Sequence, residues 1–267
     1  MTEDSVESVG TAKSVRHAAV KVPTITLIFW ITKILTTGMG ETFSDFLLMK
    51  WEVIGLAVGS AGLAVSLVLQ FRASRYIVWI YWLAVVMVSI FGTMLADVIA
   101  FILHVPLLVS TLGFATVLGI VFYFWGRSEG TLAISSVRSR RAEGFYWATV
   151  MATFSLGTAA GDLTAYVFGW GFLVSGIVFS VVMAIPALMH QRGQASAIAT
   201  FWFAYVLTRP VGASFADWMA VPADRGGLGL GALLVSAEWA VAIVLLVAYM
   251  ALAKRANRTG TEPSGAH

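Results

Sequence analysis

The sequence predicts an all-α polytopic membrane protein, with eight transmembrane helices arranged as four helical-hairpin repeats in one orientation. Three observations predict it. Of the 267 residues, 59% are hydrophobic and 12% charged, whereas an ordinary soluble domain carries about 25% charged residues. Mean hydropathy is +0.86, and the apolar runs approach the roughly 20 residues that a helix needs to cross a bilayer. A short motif near the end of every second run occurs four times, and a repeat outranks any other reading of a chain.

The motif reads TTGMGE at 36–41, GTMLAD at 92–97, GTAAGD at 157–162 and GASFAD at 212–217. Its acids, Glu41, Asp97, Asp162 and Asp217, are spaced by 56, 65 and 55 residues. The first and third lie 121 apart and the second and fourth 120, the mark of a duplicated pair. An acid at mid-membrane costs roughly 2.5–3.5 kcal/mol, so four unpaired ones would cost about 10–14 kcal/mol.

In chain order, residues 1–21 mix acids with Lys13, Arg16 and Lys21 and lack the basic start, apolar centre and cleavage site of a secretory signal. They read as a cytoplasmic tail. The membrane domain covers 22–252, with spans at 24–48, 53–71, 77–103, 106–125, 145–168, 171–188, 196–220 and 229–252. Turn signals fall between them: the break before Pro106, Gly169–Trp170–Gly171, and Pro222 with Gly226 and Gly227. The four repeats occupy about 22–74, 75–128, 143–192 and 195–253, and residues 254–267 form a polar tail.

Lys and Arg collect in alternate loops. Arg72 and Arg75, then Arg127, Arg138, Arg140 and Arg141, then Arg192, share a side with both tails, including Lys254, Arg255 and Arg258. The other loops hold Lys50 and Arg225. Both termini are therefore expected in the cytoplasm, below the inner membrane of a bacterium. Four repeats of one orientation place any symmetry axis along the membrane normal. Aromatic–Trp pairs stand 15 residues before three of the acids: Tyr81–Trp82, Tyr146–Trp147 and Phe201–Trp202. Phe29–Trp30 is one turn closer to Glu41. These pairs read in part as interface anchors, although Trp30 is too deep for that.

Small residues four apart, Thr36/Gly40, Gly92/Ala96, Gly157/Gly161 and Gly212/Ala216, let membrane helices approach closely. Close packing of the first helix of each repeat brings the four acids to one depth, in the outer half of the membrane. Lys33, Thr37, Glu41 and Asp45 follow at every fourth position and share a stripe. Thr93 and Thr158 stand four before Asp97 and Asp162. Lys33 and Arg209 stand eight before Glu41 and Asp217, and the expected pairs are Lys33–Glu41 and Arg209–Asp217. Ser89 and Phe154 occupy the basic position in the other repeats, which leaves Asp97 and Asp162 as the best candidates to hold a ligand. Five acids against two bases leave three uncompensated charges unless protons or a cation intervene.

Carboxylates and hydroxyls are hard ligands that suit Mg²⁺, Ca²⁺ or Mn²⁺, and equally a proton. Asp97 and Asp162 are the expected metal ligands, with Glu41 and Asp217 as further ones. Met39 and Met94 offer a softer contact beside the first two acids, although methionine at helical spacing is more often filler. His104 falls at an outer turn. The chain has no cysteine, so disulfides and thiolate sites are excluded. No catalytic constellation, zinc spacing or phosphate loop is present, and no enzyme activity is expected.

The stretches KVPTITLIFWITKILTTGMGETFSDF, GTMLADV, RSEGTL, FSLGTAAGDLTA and AYVLTRPVGASFAD resemble the bacterial "membrane-anchored protein" family built from a repeat of unknown function. The resemblance covers about 21–252, and the first repeat departs from it with Glu41 for Asp and a displaced Trp30. It implies the fold and is silent on substrate. The residues themselves point to transport of a small cation, most readily divalent. Proton-coupled movement of an organic solute, or a non-transporting scaffold with the acids as packing elements, are the other readings. The expected partners are the lipid bilayer and a cation or proton, with a homo-oligomer compatible. Neither nucleic acid nor a covalent cofactor is expected.

Overall fold

A computed structural model describes residues 20–259. Most of the expected N-terminal tail, with Lys13 and Arg16, lies outside the described residues. These form seven α-helices and no strand: α1 (Leu27–Arg72), α2 (Val78–Asp97), α3 (Leu107–Glu129), α4 (Arg140–Asp162), α5 (Gly171–Gln191), α6 (Ala197–Ala220) and α7 (Ala232–Thr259). The last helix passes the expected end at residue 252, and the Lys254 ammonium donates to Tyr76 O at 2.8 Å. Part of the expected tail is therefore helical and docked.

The first helix is broken. Trp51 (φ −147°, ψ 63°) leaves helical geometry. The ammonium of Lys21, ahead of the helix, donates to Phe71 O near its end at 3.3 Å. A straight helix of 46 residues would extend about 69 Å, so the arms 27–50 and 52–72 fold back on each other. Five helices are long and apolar enough to cross a membrane: α1, α2 with its extension to Ile102, α3, α5 and α7. Helices α4 and α6 fall short of that criterion because their apolar runs are interrupted by Thr149, Thr153, Thr158, Thr208 and Arg209, all buried inside the bundle.

The first arm of α1, α2, α4 and α6 form a ring, each packed on the next, with α6 closing on α1. The motif glycines explain the closeness. A Cβ at Gly40 would overlap Ser89 of α2, and one at Gly92 would lie 2.7 Å from Phe154 Cβ of α4. At Gly157 it would lie 2.5 Å from Arg209 Cβ of α6, and at Gly212 2.6 Å from Ile34 O of α1. Each repeat thus offers its glycine to the next, and the fourth returns to the first. Gly161 does not belong to this set, because a Cβ there meets Ser214 Oγ at an ordinary 3.8 Å.

The outer helices follow the same rotation. Helix α3 packs chiefly on α4, α5 on α6 and α7 on α1, and Gly59 and Gly62 of the second arm face Met94 and Met87 of α2. The expected hairpin is thus a unit of sequence rather than of packing. Each outer helix lies against the inner helix of the following repeat.

Two π-helical turns follow the second and third motif acids directly, Val98–Ile102 after Asp97 and Leu163–Val167 after Asp162. They close identically: Leu103 N to Val98 O at 2.8 Å and Val105 N to Ile99 O at 3.1 Å, against Phe168 N to Leu163 O at 3.1 Å and Trp170 N to Thr164 O at 3.2 Å. Both then turn through a left-handed residue, exposed His104 (φ 55°) in one and Gly169 (φ 70°) in the other.

Candidate functional site: an acidic cavity beside Arg209

Stepping back by fours from each acid gives rows across the ring. The acids are Glu41, Asp97, Asp162 and Asp217; behind them come Thr37, Thr93, Thr158 and Ala213, then Lys33, Ser89, Phe154 and Arg209. Because a side chain lies over its neighbours at i±4, the ring interior is layered. Arg209 occupies the third layer and reaches up through the second.

Its guanidinium is fully buried and touches three other helices. It donates to Thr37 O and to the Glu41 carboxylate of α1, to Thr93 Oγ1 of α2, and to Thr158 Oγ1 of α4 at 2.7 Å. Nε donates to Phe154 O at 3.3 Å, and the Phe154 ring lies 5.2 Å from Cζ. Thr93 and Thr158 also donate to Glu41 Oε2, at 3.0 and 3.1 Å. The carboxylate thus receives an arginine and two hydroxyls, the charge-assisted set that a buried anion requires.

This corrects both expected ion pairs. Arg209 pairs with Glu41, not with Asp217. The Lys33 ammonium is fully buried and meets no hydrogen-bond acceptor among the described residues, lying instead 4.0 Å from the Phe154 ring centroid and 4.4 Å from that of Tyr205. Eight residues along a helix span about 12 Å, beyond the reach of a lysine side chain. Arg209 succeeds because it crosses the ring to the neighbouring helix.

Above this floor, Glu41, Asp45, Asp97, Asp162 and Asp217 line one cavity of about 390 Å³ together with Glu52, which the sequence reading did not include. Leu48, Met49, Phe101, Ile102, Tyr166, Phe172 and Val221 complete the wall. Asp45, Asp97, Asp162 and Asp217 form no side-chain hydrogen bond or ion pair with the described residues, and Asp162 and Asp217 are only 8% and 7% exposed. Asp97 and Asp162 end α2 and α4, and Asp217 lies in the last turn of α6. At Asp217 the partial negative charge of the helix C-terminus disfavours a carboxylate by roughly 0.3–1 kcal/mol and deepens the attraction for a cation, whereas at Asp97 and Asp162 the helical backbone runs on into a π-helical turn. Met94 turns away, against Gly59, and Met39 joins the apolar core. Neither lines the cavity, and the methionine that does is Met49. Among the described residues, no three acids or histidines stand close enough to hold one metal ion together.

At the far end of the bundle lies a cluster that sequence reasoning missed. The Lys21 ammonium pairs with Glu143 at 2.7 Å, and Gln70 Nε2 donates to the same carboxylate at 3.1 Å. The expected spans 106–125 and 145–168 leave Glu143 in the loop between them. Ser139 caps α4 instead, accepting from Ala142 N at 2.9 Å, which draws Glu143 into the first helical turn. The aromatic pairs are core rather than interface. Trp82, Trp147 and Trp202 are at most 5% exposed, and the Tyr81 and Tyr146 hydroxyls meet at 2.5 Å.

Four successive segments, residues 28–76, 80–131, 145–195 and 200–256, match the family model described as Repeat of Unknown Function (DUF347). No curated protein and no solved structure matches the chain. The chain belongs to the DUF347 repeat family.

Proposed function

We propose that the protein is an integral membrane carrier of a small cation and that the acidic cavity is its binding site. The observation that carries this reading is the convergence of the motif acids of all four repeats on a single cavity, behind which Arg209 pairs with Glu41. Six carboxylates line it and one is paired with that arginine. A cation supplies the charge the others lack.

In this reading the two arms of α1 and the polar helices α4 and α6 each cross the membrane, giving eight passes in a bacterial inner membrane. The Lys and Arg distribution sets both termini in the cytoplasm, so the cavity opens outward. Helices α4 and α6 can be polar because the ring and its outer helices shield them from lipid. Asp97 and Asp162, each followed by a π-helical turn, contact the cation directly, while Glu41 is engaged by Arg209. A hard divalent ion such as Mn²⁺ fits this donor chemistry, with water completing its shell.

A second reading, proton-coupled movement of a small organic solute, is favoured by the size of the cavity. Its volume of about 390 Å³ falls within the roughly 300–1,000 Å³ of small-molecule sites. Flux measurements on proteoliposomes test both readings, using a panel of Mg²⁺, Ca²⁺ and Mn²⁺ with and without a pH gradient. Absence of cation-dependent flux and of proton movement under every condition would return the acids to a packing role.

A further inference from the structure

We propose that the acidic cavity and an apolar cavity beside it form one head-and-tail site for an amphiphilic organic cation, an ammonium group carried on an alkyl chain. This rests on the cation-carrier reading and narrows its substrate class. The second cavity, of about 850 Å³, lies among α1, α6 and α7 and is walled by Phe46, Leu230, Leu233, Leu234 and Ala237. Asp45 and Asp217 line both cavities, so the two adjoin at a pair of carboxylates. Asp217 is 7% exposed, and its carboxylate forms no hydrogen bond or ion pair with any described residue. A buried, unpartnered anion at the junction calls for a cationic partner at that point.

The chemistry of the walls decides which cation. A dehydrated metal ion needs several oxygens at once, and among the described residues no three acids or histidines are grouped to provide them. An ammonium needs only one or two carboxylates and gains from aromatic faces, which Phe101, Tyr166 and Phe172 supply on the acidic side. Methylenes attached to it then have apolar surface to cover next door. Leu230, Leu233 and Leu234 are 40–52% exposed, so the apolar chamber opens on the face where lipid would lie. Lys50 and Arg225, both exposed, also line that chamber. Their charge repels a cationic head there and orients it toward the acids.

The test uses the full chain in phosphatidylglycerol nanodiscs and displacement of radiolabelled octyltrimethylammonium, with protein-free nanodiscs as the partition background. Octyltrimethylammonium should bind about tenfold or more tightly than tetramethylammonium, since each buried methylene adds to affinity. Asp217→Asn should weaken both by about tenfold, the scale of a lost charge-assisted contact. Ala237 is exposed, so Ala237→Trp should fill the apolar chamber without disturbing the fold and cancel the advantage of the octyl chain over tetramethylammonium. Adding phosphatidylethanolamine separates the two sources of an ammonium: displacement of the probe identifies a lipid headgroup as occupant, and no displacement identifies a soluble amphiphile. Equal affinity along the alkyl series, or an octyl advantage that survives Ala237→Trp, overturns the inference. Mn²⁺ flux without any alkylammonium binding overturns it too but leaves the carrier reading standing. An Asp217→Asn variant unchanged in both binding and flux removes both.

Discussion

Arg209 of α6 donates to the Glu41 carboxylate of α1 across 168 residues of sequence, and the hydroxyls of Thr93 and Thr158 complete the same anion site. One guanidinium therefore ties together all four inner helices. Removing one partner of a buried pair strands the other charge and costs about 3–5 kcal/mol. Arg209→Met should accordingly lower the thermal midpoint and membrane yield sharply. Glu41→Gln in that background should recover much of the loss. A double variant no better than the sum of the two singles would show that the pair is not coupled.

Lys33 provides the contrast. It shares a layer with Arg209, but among the described residues its ammonium has no hydrogen-bond acceptor and lies against the faces of Phe154 and Tyr205. Burying an amine without an acceptor is costly, and two rings return up to about 2 kcal/mol. Lys33→Met keeps the volume and removes the polar head, so the thermal midpoint should hold or rise. A fall as large as that of Arg209→Met would mean that Lys33 has an anionic partner after all.

The glycines can be ranked by what a methyl group would strike. Alanine at Gly92, Gly157 or Gly212 drives into the neighbouring helix, and overpacking of this kind costs about 1–3 kcal/mol. Gly161→Ala meets only Ser214 Oγ at 3.8 Å and should be neutral. Thermal midpoints of the four single variants in one detergent would show three losses and one null. A loss at Gly161 equal to the others would contradict the ring packing.

His104 and Gly169 occupy equivalent turns, 65 residues apart, and both have positive φ. Only glycine adopts that conformation without strain, and an L-residue there costs roughly 1–2 kcal/mol. His104→Gly should raise the thermal midpoint modestly, and Gly169→His should lower it by a similar amount. No change in either variant would mean that the two turns are not equivalent.

The acid row and the rows behind it were legible because helical periodicity and the fourfold repeat set register and face directly. Glu41, Asp97, Asp162 and Asp217 line one cavity for that reason. The partner of Arg209 was not legible. Sequence spacing places residues along one helix, while an arginine long enough to cross a ring finds partners by helix rotation and neighbour order. Glu143 was hidden by a similar limit: its burial depends on Lys21 and Gln70, which stand 122 and 73 residues away. Nor does the motif signal the π-helical turns, since VIAFI and LTAYV are ordinary apolar runs. Only their shared place after an aspartate distinguishes them.

The last prediction bears on function. Asp97 and Asp162 close α2 and α4 at equivalent positions, precede the two π-helical turns, and line the cavity with carboxylates that have no hydrogen-bonding partner among the described residues. Like charges held together in a poorly solvated site repel, and a proton or a cation relieves the repulsion. Protons and the cation therefore compete for the same oxygens, and cation binding should weaken as pH falls. Asparagine keeps the shape and removes the charge, so Asp97→Asn and Asp162→Asn should reduce cation flux by about tenfold or more, the scale of a lost charge-assisted contact. The protein should still accumulate in the membrane with an unchanged thermal midpoint. In the double variant the residual flux should lose its dependence on pH, a readout that a purely structural role would not move. Asp97→Glu retains the charge and should keep part of the activity. Proteoliposome flux measured across a pH series on these four variants decides the matter: normal, pH-dependent transport by the double asparagine variant would show that these two acids do not bind the cation.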